Sequence, residues 1–449
     1  MFEISLSPSL KLHKHSSSSG DLLILRDSTV PIIATSILVP SGLCHQPLEQ
    51  SGQLSACIEL LLRGNLRHNR TQFFEELETL GSYTRVHASS NYSLLKLTTL
   101  RKNAAKSFEL IAQALHSPTF AASEVELYQH EKMGLLNTLQ DDDAALLDIF
   151  MRQHLYGNEH PLSKLAPGTI KDIAKITPNI CRNYFEILLK PLRTTTIMVG
   201  DIQVPEALEF WKLLQNSSPV PESPKNQQTH APIPNPHENL DIQLVDFPNQ
   251  AQIQMAVGQI LPPMDLQTQE NLWLGILGFG GTFASRFTQE IRENRGWSYS
   301  ANASFSRRSH NREPILLNST PEMDKMVDCL SLELDMFRTL QCDGLRMEEF
   351  NHTKNFLMNY LDVHLSSPHD WVPQLARCEL LGLPVTDILE LTQRLQSQQL
   401  PEINEALRNN LAPESLKVTI VGPAKALLPL LTQQFPTATI KTVAYKSAF

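Results

Sequence analysis

One offset of 222 residues relates the two halves of this chain, and it restricts the fold more than any single motif. His130-Glu131-Lys132 matches His352-Thr353-Lys354 (352 − 130 = 222), Glu126 matches Glu348 (348 − 126 = 222), and Val199-Gly200 matches Val421-Gly422 (421 − 199 = 222). Several matches at one offset point to a duplicated unit rather than chance. A chain of 449 residues then divides into two halves of ordinary domain size. Two long repeats are too few and too long for a solenoid. Between them, 216–238 carries prolines at 219, 221, 224, 232, 234 and 236 among polar residues. Such a segment cannot bury a core and reads as an extended linker. The expected organisation is an N-terminal domain over 1–215, a linker over 216–238 and a C-terminal domain over 239–449.

Periodicity fills in each half. Residues 21–41 read as two strands around a turn near Asp27-Ser28, with Pro31 at an edge or strand start. Leu54, Cys57, Ile58, Leu61 and Leu62 have the spacing of one buried helix face. A second helix carries Phe73, Phe74, Leu77 and Leu80 and ends at Gly81. A strand over 90–100 follows, then helices over 103–115 and 123–139, the latter opened by a Ser123/Glu126 capping box. Short helices near Ile170 and after Pro178 precede a strand over 194–201. The fold class is α+β: two homologous domains, each a mainly antiparallel sheet with helices packed on one face.

The most informative stretch is 285–299. Phe287 and Ile291 share a helix face, Gly296 suits a left-handed helix end, and Trp297, Tyr299, Ala301, Ala303 and Phe305 alternate with polar residues as in a strand. Arg292 in the last helical turn and Tyr299 at the strand start can converge across that turn.

The net charge of −9, without a Lys/Arg run, argues against nucleic acid or an anionic membrane as partner. No apolar run reaches the ~18 residues of a membrane span, and the N-terminal residues lack a secretory pattern. Cytoplasmic location is expected, or periplasmic if a signal sequence was trimmed away. Six scattered cysteines lack C-x-x-C spacing, and most read as small core residues. Gly278, Gly280 and Gly281 lack phosphate-loop spacing and suit tight backbone packing. His45 with Glu49, and His13 with His15, read as surface groups.

The segments SGQLSACIELLLRGN, FFEELETLGS, HPLSKLAPGTIKDIAKIT, ILGFGGTFASRFTQEIRENRGWSYS and DGLRMEEFNHTKNFL resemble the pitrilysin/insulinase-type zinc peptidases. The likeness is to the short two-domain members that include processing-peptidase subunits, and it spans nearly the whole chain. Active members carry His-x-x-Glu-His on the first long helix, two zinc ligands flanking a base. The matching positions here are Ser55, Ala56, Cys57, Ile58 and Glu59. Both histidines are missing and the base is Ile58. No two of the fifteen histidines lie four apart, and the third ligand falls near Asn137 or Thr138. The resemblance therefore implies no metal and no cofactor in this chain. Glu59 is expected as a helix-surface charge.

The family also places an Arg and a Tyr, seven apart, against the substrate carbonyl. Arg292 and Tyr299 match both. The resemblance implies a catalytically incomplete subunit of a two-subunit metallopeptidase, unable to hydrolyse peptides alone. It would lend Arg292 and Tyr299 to a zinc-bearing homologous partner acting on peptide or unfolded polypeptide. The alternative is a non-catalytic peptide-binding or assembly scaffold of the same fold. A glycine-rich loop near Gly278–Gly281 touches substrate in related subunits.

Overall fold

The computed structural model describes residues 2–5, 11–215, 239–248, 252–305, 314–363, 365 and 367–449. The expected linker, 216–238, lies outside them. Two sheets organise the described residues. The first runs β1-β2-β3-β7-β4-β6-β5, with β1 Phe2–Ser5, β2 Lys11–Ser16, β3 Gly20–Arg26, β4 Ile32–Val39, β5 Tyr83–Ala88, β6 Ser93–Leu100 and β7 Thr194–Gly200. The second runs β10-β11-β9-β12-β8-β13, with β8 Asp241–Asp246, β9 Gln254–Ile260, β10 Ser298–Phe305, β11 Pro314–Pro321, β12 Lys417–Gly422 and β13 Thr439–Ala444. Among the described residues, no helix is long and apolar enough to cross a membrane.

The duplication is a duplication of topology. The order β3-β7-β4-β6-β5 reappears as β8-β12-β9-β11-β10. In each, the first pair is parallel and the others antiparallel. The edges differ: β2 joins β3 antiparallel, whereas β13 joins β8 parallel. The two strands expected over 21–41 are present. They are β3 and β4, and they are not paired, because β7 lies between them. Their turn therefore serves a crossover rather than a hairpin.

The compact units do not follow the contiguous division. One comprises Met1–Leu136, Lys164–His230 and Asp362–Glu390, the other Asn137–Ser163, Ala231–Leu361 and Leu391–Phe449. Each half thus gives one helix to the other half's unit. In the N-terminal unit, Leu22 and Ile24 of β3 face Phe108, Ile111 and Trp211, from helices of the same half. Leu23 and Leu25, on the opposite face, pack with Trp371 and Leu375 of helix Pro368–Leu381. A strand covered on both faces must be apolar at nearly every position, which is the pattern of β3, buried from Gly20 to Leu25. Pro368 at the helix start and Gly382 at φ +62 set that helix's limits.

In the C-terminal unit, helix Asp143–Tyr156 lies against β9 and β12. Polar contacts help to hold it. His154 Nδ1 is 3.1 Å from Thr419 Oγ1, His154 Nε2 is 3.0 Å from Asp241 Oδ2, and Lys417 Nζ donates to the His154 carbonyl.

Most helix expectations locate real elements, with shifted ends. The long helix is Ala122–Gln140, so Ser123 lies inside its first turn rather than capping it. His45 and His15 are half-buried rather than surface groups. His45 Nδ1 accepts the Gly42 N–H at 3.1 Å, and the His15 ring meets Trp211 edge-on. Among the cysteines, all but Cys342 are buried.

Candidate functional site

The stretch 285–299 lies within the C-terminal unit. Arg286–Thr288 starts as α-helix and Gln289–Asn294 continues as π-helix, a form that recurs at functional sites. Phe287 and Ile291 are fully buried and anchor it. Glu290 accepts from Asn294 Nδ2 at 2.7 Å and Arg295 Nε at 2.8 Å, and these bonds hold its carboxyl below the usual range. Gly296 takes φ +64 with nothing near its missing Cβ. Glycine is needed there for conformation, not space.

The sequence alternation puts Tyr299 on the face of Ala301 and Ala303. The structure departs from it through a bulge between Ser298 and Ala301. Ser298 turns inward, its Oγ accepting the Thr320 N–H at 2.7 Å, and Tyr299 turns out, 77% exposed. A bulge adds one residue against the partner strand and re-aims the side chains beside it.

This re-aiming brings the pair together. The Arg292 guanidinium carbon lies 4.5 Å from the Tyr299 ring centroid and 4.5 Å from that of Phe283. Arg292 Nε is 3.2 Å from Glu293 Oε1. Two aromatic rings and the Glu293 carboxylate thus crowd the guanidinium on its Cζ and Nε side, leaving its Nη edge as the donor surface. Phe283 was not singled out from the sequence. Its one signal is an exposed aromatic directly after the glycine-rich turn. That turn packs tightly: a Cβ on Gly280 would meet Ala303 Cβ at 2.6 Å.

In the N-terminal unit, Ser55 and Ile58 are buried in helix Gln53–Leu60. Glu59, expected as a helix-surface charge, is partly buried and ion-paired. Its carboxylate is 2.7 Å from Lys132 Nζ and 4.0 Å from Arg63 Nη2. Arg63 Nη2 also meets Glu131 Oε2 at 2.6 Å. Arg63 and Lys132 both lie over the ring of buried Tyr128, at 5.7 and 5.4 Å. Burial pushes the Cys57 thiol well up, and it donates to the Cys181 carbonyl at 3.5 Å. Asn137 and Thr138 are exposed.

Residues 175–357 match the family model described as the peptidase M16 inactive domain. The chain is 21% identical over 417 residues to "Non-peptidase homolog YmxG" of Helicobacter pylori (strain ATCC 700392 / 26695), covering 89% of this chain and 94% of that protein. It is 19% identical over 418 residues to "Uncharacterized zinc protease YmxG" of Bacillus subtilis (strain 168), covering 92% and 98%. Among solved structures, a peptidase M16 inactive domain from Pseudomonas fluorescens superposes with a TM-score of 0.81 at 19% identity, over 92% of this chain and 98% of that one. The chain is thus similar to the M16 family, whose inactive-domain model it matches over residues 175–357. The first half of the Escherichia coli periplasmic protease PqqL shares the fold, with a TM-score of 0.76 at 14% identity, over 96% and 98%.

Within the M16 frame the zinc positions do not suit the metal. Ser55 offers a neutral hydroxyl and Ile58 nothing. Glu59 is the one anionic donor, and the Lys132 ammonium already occupies it. Zinc sites instead assemble several imidazole, thiolate or carboxylate ligands. Among the described residues, no three His, Cys, Asp or Glu side chains are grouped to hold a metal.

Proposed function

We propose that this M16-like chain is the substrate-holding, non-hydrolytic subunit of a two-chain peptidase, lending Arg292 and Tyr299 to a zinc-bearing homologue. The observation that carries the reading is the guanidinium of Arg292 held 4.5 Å from the Tyr299 ring, with its Nη edge unpaired among the described residues. A guanidinium and a phenol are both donors. Pointed at a peptide carbonyl, they stabilise the negative charge that grows on its oxygen during hydrolysis. Glu59 bound to Lys132 leaves this chain no base or metal of its own at the motif helix. The substrate class is peptide or unfolded polypeptide, in the cytoplasm or the periplasm.

The test is reconstitution. The chain alone should leave an unfolded polypeptide intact, and mixing it with an M16 homologue bearing His-x-x-Glu-His should give cleavage above that of the homologue alone. If the two never associate by size-exclusion chromatography, the two-chain reading fails. A peptide-binding scaffold without a catalytic role is then the better account, consistent with the "non-peptidase" name of the Helicobacter relative.

A further inference from the structure

The duplication exposes a second site. Helix Met347–Val363 of the C-terminal unit is the repeat counterpart of Ala122–Gln140. On the earlier helix, Glu131 reaches across to Arg63 and helps to fill the space beside helix Gln53–Leu60. The position 222 residues later is Thr353 (353 − 131 = 222), and its Oγ1 donates back to the Glu349 carbonyl of its own helix. Among the described residues no side-chain hydrogen bond or ion pair crosses from there, and a cleft of about 650 Å³ lies beside it, a size typical of ligand sites.

Gly278, Arg286, Glu290, Arg346, Glu348 and His352 line this cleft, and Arg292 does not. Gly278 permits a close approach, since a Cβ there would meet Thr353 Oγ1 at 2.9 Å. Arg286 is ion-paired, its Nε 3.4 Å from Glu349 Oε1 without a hydrogen bond and its Nη2 donating to the Gly344 carbonyl. Glu290 is committed to Asn294 and Arg295. The Arg346 guanidinium and the Glu348 carboxylate are different. Both are exposed, stand two residues apart at the start of the helix, and have no hydrogen-bond or ion-pair partner among the described residues. A cleft that presents an unpaired guanidinium and an unpaired carboxylate is complementary to a molecule carrying both charges. A purely anionic or purely cationic ligand would leave one of them facing a like charge.

We propose that this cleft binds a short zwitterionic peptide, Arg346 pairing with its terminal carboxylate and Glu348 with its terminal ammonium. Charge-assisted hydrogen bonds to each end supply the selectivity. The site stands apart from Arg292 and Tyr299 and does not depend on their proposed role.

Isothermal titration of the full chain with tri-alanine tests it, beside N-acetyl-tri-alanine, tri-alanine amide, the doubly blocked peptide and free alanine. Tri-alanine should bind, and blocking either end should weaken it about tenfold. In Arg346→Ala, tri-alanine and its amide should bind equally. In Glu348→Gln, tri-alanine and its N-acetyl form should bind equally. Alanine as tight as tri-alanine would narrow the class to a free amino acid and overturn the peptide assignment. No heat with tri-alanine at millimolar concentration, or equal binding of the doubly blocked peptide, would overturn the site. Circular dichroism of both variants guards against misfolding, and these exposed positions should leave the spectrum unchanged.

Discussion

The two helices that carry the 222-residue repeat do opposite things with the same frame. On Ala122–Gln140, Glu131 and Lys132 reach outward to Arg63 and Glu59 and close the space beside the motif helix with charge. On Met347–Val363, Thr353 folds back onto its own helix, and Lys354 donates to the carbonyls of Gln396 and Gln398. Charged side chains bridge the space beside the first helix, and a cleft lies beside the second. The backbone arrangement is therefore not what decides whether a site exists. Two or three side chains crossing between elements decide it, and these are the positions at which the halves have diverged.

The same divergence reaches the cores. Helix Ala104–His116 carries buried Ile111, and helix Met326–Asp343, 222 residues on, carries buried Glu333 (333 − 111 = 222). Glu333 is 3.5 Å from the Cys329 thiol, and burial pushes its carboxyl up to about 7. An acid in one core and an isoleucine in the other gives the two units different responses to pH.

The largest expected effect concerns the pair that has no counterpart role in the N-terminal unit. Tyr299→Phe keeps the ring over Arg292 and removes only the hydroxyl, so a reconstituted complex should assemble while turnover falls roughly 10²–10³-fold, the usual loss for one such donor. Arg292→Ala should fall at least as far. Equal turnover in wild type and both variants, with assembly intact on size-exclusion chromatography, would make the pair structural. It would also leave the cleft as the functional difference between the units.

Much of this was legible in the sequence. The repeat offset, the burial of Phe287 and Ile291, the helix end at Gly296 and the loss of the motif histidines are all local or periodic signals. What stayed hidden depends on contacts between distant segments. Alternation could not reveal the bulge that turns Tyr299 outward, because a bulge is a break in that alternation. The pairing of Glu59 with Lys132 joins residues 73 apart (132 − 59 = 73). The exchange of helices Asp143–Tyr156 and Pro368–Leu381 was also out of reach, although the unbroken apolar run of β3 was its trace. Glu333 gave no warning, since a Glu within an amphipathic helix is ordinarily read as solvated.

The next effect tests the core difference. Folded Glu333 holds its proton up to about pH 7, against 4.5 for the free group. Between those values the folded state binds more protons than the unfolded one, so stability falls as pH rises, by about 3 kcal/mol in all. The contribution is full below pH 4.5 and gone above pH 7. Glu333→Gln should flatten this slope in denaturant titrations between pH 4.5 and 7. A slope that survives the substitution would place the pH sensitivity elsewhere.

A smaller loss is expected at the bridged site. Lys132→Met preserves side-chain length but strips Glu59 of its nearer cation. The pair is partly screened, at 17% and 29% exposure, so about 1–2 kcal/mol should be lost. Adding Glu59→Gln should recover part of this, because the unpaired charge goes too. Equimolar zinc should not shift the Tm of either variant if the space is held by charge and not by a latent metal site. A zinc-dependent rise in Lys132→Met would break the contrast between the two units.

The smallest effect concerns Phe283, whose ring centroid lies 4.5 Å from the Arg292 guanidinium carbon, as does that of Tyr299. Cation–π contacts at exposed sites contribute about 0.5–1 kcal/mol, so Phe283→Ala should neither unfold the unit nor release Arg292 entirely. Glu293 still holds Nε at 3.2 Å. The guanidinium plane should instead gain freedom to swing away from Tyr299. In ¹⁵N relaxation, the Arg292 Nε–H order parameter should fall in Phe283→Ala and remain at the wild-type value in Tyr299→Phe, where both rings persist. Equal order parameters in all three proteins would show that the Glu293 contact alone orients Arg292. The stack would then be a consequence of the bulge rather than the device that aims the donor edge.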